Sequence, residues 1–381
     1  MSARVFDVIV VGCGGMGSAA AFELARRGRR VLALEQFNLV HDRGSSHGHT
    51  RIIRQAYYEH PDYVPLVRRA YARWHDLEQL HGVPLLTSCD CLSIGRGDSE
   101  LIQGVNASAI QHKLPIESLS PTELRERYPQ FRFAEDFVGI LERTAGFLYV
   151  EDCVRAHLLE AKRCGAVIRE TEIVRSWNAS GAGVQVSTDR GNYSAAKLVL
   201  TAGPWATSVL GASGVPLRVM RQVPLWFGTR DDSAYRRDRF PLYIADTPRG
   251  YFYGFPVLDG NGAKVAQHYG APELNGPDEI ARDLTANDEE PVRAFLRDYL
   301  PGVDGPVRRS AVCIYTLTPD RHFVIDLHPE QANVAIATGF SGHGFKFASV
   351  VGEILADLAD TGHTQQPISL FRAGRFIANQ G

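Results

Sequence analysis

The apolar run Phe6-Asp7-Val8-Ile9-Val10-Val11 breaks at Gly12-Cys13-Gly14-Gly15-Met16-Gly17, and that junction limits the fold more than any other stretch. A short β-branched run of this kind is a strand buried in a parallel sheet. The alanine-rich stretch Ser18 to Arg27 reads as a helix, with Gly28 as its stop. A second run, Val31-Leu32-Ala33-Leu34, ends on Glu35. Together these make one βαβ unit. Gly12 allows the tight turn, Gly14 lets backbone approach a pyrophosphate, and Gly17 permits close packing of helix on strand. The helix N-terminus offers free N–H groups and a positive dipole to phosphates. Glu35, 18 residues after Gly17, is placed to accept hydrogen bonds from an adenosine ribose and argues against a 2′-phosphate. The motif predicts a dinucleotide site and leaves FAD and NAD both open.

At 381 residues the chain exceeds the usual size of one domain. Its 41 basic and 43 acidic residues give a net charge of −2, so neither nucleic acid nor an anionic membrane is an expected partner. No apolar stretch approaches the roughly 20 residues that span a bilayer. The first strand starts too early for a signal peptide, and Ile377 to Gly381 is not a Ser-Lys-Leu-type address. Cys13, Cys89, Cys91, Cys153, Cys164 and Cys313 show neither C-x-x-C nor Cys/His spacing, which predicts no metal site and no disulfide framework. A cytoplasmic enzyme with reduced thiols is the expectation.

After Glu35 comes a polar loop, His41 to Thr50, rich in Gly, Ser and His, which opens onto Arg51-Ile52-Ile53-Arg54. Such a loop beside a cofactor motif is a plausible binding surface. Tyr63 to Leu80 reads as an amphipathic helix with Leu66, Ala70, Trp74 and Leu77 on one face. Ser120 and Glu123 have capping-box spacing with Pro121 at the first helical position. Asp189-Arg190-Gly191 reads as a hairpin turn, and Lys197 to Leu200 as a strand running to a small-residue turn. From Leu217 to His268 the pattern becomes alternating strands rich in Tyr, Phe and Trp, including Val223 to Thr229, which predicts an antiparallel sheet. Ala311 to Tyr315 reads as a strand. Val334 to Thr338 reaches the turn Gly339-Phe340-Ser341-Gly342-His343-Gly344, and a closing helix runs from Phe345 to Leu358. This last unit repeats the logic of the first, with a helix N-terminus aimed at the cofactor. The fold class is α/β (α+β overall): a Rossmann-like dinucleotide domain over 1–84, 150–215 and 310–381, interleaved with a mainly antiparallel substrate domain over 85–149 and 216–309.

The chain resembles, nearly end to end, the monomeric sarcosine oxidase and N-methyltryptophan oxidase family of D-amino-acid-oxidase-like flavoproteins. The specific segments are Asp7 to Gly12 with Gly14 and Gly17, His47-Gly48-His49-Thr50-Arg51-Ile52-Ile53-Arg54, Tyr253-Gly254-Phe255-Pro256, Ala311 to Thr316, and Gly339 to Phe347. The resemblance implies FAD. Cys313 matches the cysteine that holds flavin through a thioether. Lys264 matches a lysine that activates oxygen, with Arg51 in the same charge field. A fixed cation in a water-poor site stabilises charge as it forms on O2. Arg54 and Lys346 match the pair that holds the substrate carboxylate, for which a planar fork and a point charge are suited. Tyr253, His268 and Tyr315 match residues lining the amine pocket, with Tyr253 and His268 close to the chemistry. His47, Thr50, Gly342, His343 and Gly344 join Lys346 in the expected flavin contacts. The sequence departs from the family at His49, where an acid is expected, and at Ile244, where a methionine is expected in the pocket.

The implied activity is oxidation of a secondary N-alkyl α-amino acid to an imine, which hydrolyses to amino acid and aldehyde while O2 becomes H2O2. Sarcosine, N-methyltryptophan, pipecolate and proline-like amines all remain open as substrates. The competing classes are a flavin dehydrogenase that passes electrons to a carrier, an NAD-linked dehydrogenase, and a non-catalytic dinucleotide-binding module. The resemblance also implies a monomer.

Overall fold

The computed structural model describes residues 5–210 and 214–376. The tail read for a peroxisomal address, 377–381, lies outside the described residues. The opening unit forms as β1 (Val5–Val11), α1 (Gly15–Arg26) and β2 (Val31–Leu34). β1 pairs in parallel with β2 on one side and with the strand Asn192–Leu200 on the other, Val8 standing opposite Val31 and Lys197. The parallel sheet continues from β2 to Val167–Arg169 and from Asn192–Leu200 to Gln331–Thr338. Val8, Ile9 and Val10 are buried, as strands covered on both faces require. Gly183–Thr188 returns antiparallel onto Asn192–Leu200 through the expected hairpin.

The alanines of α1 have a packing reason. A Cβ at Gly352, in the last helix Ala348–Thr361, would sit 2.6 Å from Ala19. Only small side chains let these two backbones cross so closely. Leu24, Cys153, Trp74 and Leu355 belong to the core that joins α1, α2 (Tyr63–His81), Val150–Arg163 and the last helix.

The second large sheet runs in the order Val307–Ser310, Leu225–Phe227, Ala263–Gln267, Gly250–Phe255, Leu242–Thr247, Cys91–Arg96, Phe137–Glu142, Ile116–Leu119. Its pairings are antiparallel except that of Leu242–Thr247 with Cys91–Arg96. Its aromatics serve the core: Phe252 stacks on Phe295 of the helix Ala286–Tyr299 at 4.3 Å. Two small sheets complete the frame. β3 (Thr50–Ile53) and Leu86–Ser88 flank Gly146–Tyr149, while Arg218–Gln222 lies between Glu273–Leu274 and Cys313–Leu317.

Several elements differ from the sequence reading at their ends. The strand expected at Val223–Thr229 is confined to Leu225–Phe227, and a separate strand, Arg218–Gln222, precedes it in a different sheet. Pro224 between them has no N–H for a ladder. The strand expected from Ala311 begins at Cys313 and continues to Leu317. The closing helix opens with a 3-10 turn, Phe345–Phe347, before Ala348. The capping box forms as read, the Ser120 hydroxyl accepting from the Glu123 N–H and the Glu123 carboxylate from the Ser120 N–H. Among the described residues, no helix is long and apolar enough to cross a membrane.

Candidate active site

One cavity of about 460 Å³ begins at the glycine turn and reaches across to the antiparallel sheet. At its first end Gly12 takes φ 90°, and a Cβ there would lie 2.5 Å from the Thr201 carbonyl oxygen. A Cβ at Gly17 would collide with the Gly12 carbonyl, so helix and turn touch through backbone. Gly14 faces open space, with only the Ser46 hydroxyl nearby. Ser46 Oγ accepts from the Gly15 N–H at 3.0 Å. The other N–H groups of the first helical turn have no intrahelical carbonyl to bond. Glu35 is buried at the cavity edge, its carboxylate accepting from the N–H groups of Cys13 (2.8 Å) and Phe37 (3.1 Å). Its oxygens keep further acceptor positions for a ribose.

Midway, Arg51 lines the cavity, and behind it stand Cys313, His47, Thr50 and Lys264, all buried. Cys313 Sγ lies 3.4 Å from an Nη of Arg51 and 4.0 Å from His47 Nδ1. Burial pushes this thiol up, but the charge of Arg51, the hydrogen bond from His47 and the charge of Lys264 outweigh it and bring the pKa down to about 6. Lys264 Nζ donates to the carbonyls of Gly48 (2.8 Å) and Thr50 (2.9 Å) and to Thr50 Oγ1 (3.2 Å). Its nitrogen lies 4.6 Å from the centre of the Phe255 ring and 5.0 Å from that of Trp226. Burial and then Arg51 push the Lys264 pKa well below the ordinary lysine value. The loop that supplies its acceptors is pinned by Glu151, whose carboxylate accepts from the N–H groups of Gly48 (2.8 Å) and His49 (3.1 Å). His49 itself adopts φ 70° and turns its ring toward Tyr149 and Asp259.

At the far end Arg54 and Lys346 both line the cavity and are buried. Arg54 donates to the Ala56 carbonyl (2.5 Å) and pairs with Glu59 at 2.9 Å. Lys346 Nζ donates to the His343 carbonyl (2.8 Å) and the Tyr57 hydroxyl (3.3 Å). Burial and then the Arg54 charge lower the Lys346 pKa to about 7. His268, Tyr253, Tyr315 and Ile244 line the same end. His268 Nδ1 is 3.1 Å from the Tyr315 hydroxyl, and burial keeps the imidazole neutral with a pKa of about 3. Gly342, His343 and Gly344 also line the cavity, and a Cβ at Gly342 would run into the Tyr315 ring.

The residues singled out from sequence thus gather around one cavity, although Cys313, Lys264, His47, Thr50 and Gly17 stand behind its wall. Sequence reasoning missed Tyr57, Tyr58 and Glu59, which follow Arg54 directly and contact its guanidinium. It also missed Glu151 and Ser46. The run Arg54-Gln55-Ala56-Tyr57-Tyr58-Glu59 carried a signal, since an acid and two aromatics trail a buried arginine. Thr316 and Thr338 line the cavity as well, and their buried hydroxyl oxygens have no hydrogen-bond partner. Buried hydroxyls are seldom left so. These two hydroxyls fit a polar heteroaromatic group bound in the cavity, whereas the His47 Nε2, also unpartnered, stands behind the wall.

Residues 7–358 match the FAD dependent oxidoreductase family, DAO. The chain is 41% identical over 376 residues to the monomeric sarcosine oxidase of Bacillus sp. (strain B-0618), covering 97% of this chain and 96% of that protein. It is 36% identical over 374 residues to N-methyl-L-tryptophan oxidase of Yersinia pestis (strain Pestoides F), covering 97% and 99%. The open form of NikD, an unusual amino acid oxidase essential for nikkomycin biosynthesis, superposes with a TM-score of 0.85 at 28% identity, over 97% of each chain. A glycine turn at one end of the cavity, buried cations at the other and end-to-end similarity lead to one assignment: the chain belongs to the FAD dependent oxidoreductase family, in the group of monomeric sarcosine oxidases and N-methyl-L-tryptophan oxidases.

Proposed function

We propose that this FAD-dependent amine oxidase acts on a secondary N-alkyl α-amino acid of the sarcosine type. The product is an imine that water splits to amino acid and aldehyde, and O2 is reduced to H2O2. The observation that carries the reading is the meeting of buried Arg54 and Lys346 on the cavity that starts at the Gly12 turn. These two buried cations share one carboxylate, Glu59, and a substrate carboxylate would balance the second charge.

The bound FAD supplies a two-electron acceptor that can pass electrons on to oxygen. The protein's own part is orientation and charge. Arg54 offers N–H groups in a plane and Lys346 a point charge, which together fix the carboxylate end of the substrate. The amine end then lies among Tyr253, His268, Tyr315 and Ile244. A positive field in a buried site favours loss of the ammonium proton, so the amine reacts neutral and no basic side chain is required. Arg51 keeps its charge at every working pH and Lys264 adds a second, pH-dependent one where oxygen gains charge. Covalent attachment at Cys313 is supported by its lowered pKa and its place behind Arg51.

Within this reading 1–84, 150–215 and 310–381 bind FAD, 85–149 and 216–309 shape the substrate side, and the enzyme works as a cytoplasmic monomer. A peroxide-coupled screen of sarcosine, N-methyltryptophan, pipecolate and proline tests the reaction. Peroxide and aldehyde in equal amounts from an N-methyl amino acid support it. Dye reduction without peroxide in air overturns it in favour of a dehydrogenase.

A further inference from the structure

Between the two cations at the far end of the cavity lies a side chain to which nothing above gives a role. Tyr57 is fully buried, with its ring stacked on Tyr63 at 4.6 Å. The guanidinium carbon of Arg54 sits 4.6 Å from the centre of that ring. The Tyr57 hydroxyl is 2.6 Å from His343 Nδ1 and 3.3 Å from Lys346 Nζ.

The protons in this group can be assigned. His343 Nε2 lies 3.1 Å from the Arg321 carbonyl oxygen, which can only accept, so Nε2 carries the hydrogen. Burial keeps His343 neutral, with a pKa of about 4. Its Nδ1 is therefore a bare acceptor, and the Tyr57 hydroxyl donates to it at 2.6 Å in preference to the His343 carbonyl oxygen at 3.2 Å. That leaves an oxygen lone pair for the Lys346 ammonium. Lys346 has three N–H bonds. One goes to Tyr57 and one to the His343 carbonyl, which leaves one for a ligand. Arg54, whose guanidinium carbon lies over the ring, gives Nη hydrogens to the Ala56 carbonyl and to Glu59, and with five N–H bonds in all it keeps donors for a ligand.

We propose that Tyr57 is a positioning residue for the carboxylate clamp: its hydroxyl, oriented by His343, aims Lys346, and its ring face aims Arg54. The assignment rests on the reading of Arg54 and Lys346 as that clamp. A phenylalanine would keep the ring and lose only the link to Lys346.

The test uses the flavin-loaded enzyme and acetate, a carboxylate with no oxidisable amine, titrated by calorimetry. Tyr57→Phe should weaken acetate binding about tenfold, the scale of a lost hydrogen bond to a charged group. In a Lys346→Met background the same change should have almost no further effect, because the hydroxyl acts through Lys346. With an amino-acid substrate, KM should rise more than kcat falls. Unchanged acetate binding in Tyr57→Phe overturns the proposal. So does an equal loss in both backgrounds, which would make Tyr57 a packing residue. If the wild type itself ignores acetate while still oxidising amino acids, the clamp reading fails and the role of Tyr57 falls with it. Should Tyr57→Phe not fold, His343→Gln serves instead: a loss of about threefold, from a hydroxyl no longer oriented, supports the role, and no loss overturns it.

Discussion

The sulfur of Cys313 stands 3.4 Å from a guanidinium nitrogen of Arg51, a residue 262 positions away in the chain. Burial alone drives a thiol toward its neutral form, as at Cys89, which it lifts to about 11. At Cys313 the neighbouring Arg51, His47 and Lys264 reverse that effect and leave a thiolate at neutral pH. The strand Cys313–Leu317 and β3 meet at this contact.

Apoprotein should therefore show a step in the ultraviolet thiolate absorbance centred near pH 6, and Cys313→Ser should abolish it. In the flavin-loaded enzyme the yellow colour should stay with the protein on acid precipitation. Cys313→Ala should release it to the supernatant, and a wild type that releases FAD as well would refute covalent attachment.

Lys264 should matter to oxygen more than to substrate. Lys264→Met is expected to slow reoxidation by O2 about a hundredfold, within the ~10²–10³ range for a lost preorganised charge or donor, while reduction by substrate changes far less. Because burial and Arg51 hold its pKa low, reoxidation in the wild type should also fall as pH rises. That slope should vanish in the variant. Stopped-flow traces of the two half-reactions decide it.

The clamp predicts a difference between amino acids and simple amines. Arg54→Ala should raise KM for an N-methyl amino acid roughly 10–100-fold, the equivalent of ~1.5–3 kcal/mol for hydrogen bonds to a charged group, and leave a carboxylate-free amine nearly unaffected. Lys346 sits at about 7, so its charge is present below that pH and lost above it. KM for the amino acid should climb from neutral to alkaline pH, and a Lys346→Met enzyme should show no such climb.

Glu151 offers a stability test. Burial raises its pKa, but the N–H groups of His49 and Gly48 outweigh burial and the folded value ends below the ordinary one. A carboxyl lowered on folding stabilises the protein above its unfolded pKa, and that contribution fades as pH falls through the folded pKa. Glu151→Gln should cost about 1–3 kcal/mol in urea unfolding at neutral pH. The gap from wild type should narrow in acid.

The βαβ unit was legible because each of its parts has a local cause: β-branched strand, glycine turn, small-residue helix, terminal acid. The capping box at Ser120 was legible for the same reason. The ends of the strand read at Val223–Thr229 were not, because its pairing is confined to Leu225–Phe227, after Pro224, which has no N–H for a ladder. Lys264 alternates on its strand as an outward residue would, and only the ring faces of Trp226 and Phe255 make its position interior. Cys313 and Lys264 were named through family likeness, since nothing local sets either apart. Tyr57 and Glu59 escaped notice because their importance lies in contacts with Lys346 and His343, which the chain supplies from its other end.

Arg54 has a partner before any substrate arrives: Glu59, 2.9 Å away and walled in with it. Lys346 shares that one carboxylate at the substrate end, so below a pH of about 7, where Lys346 is charged, that end carries surplus positive charge. Such a space draws small inorganic anions out of the medium. Chloride or bicarbonate will then act as rivals of the substrate, and the buffer chosen for an assay becomes part of the measured affinity.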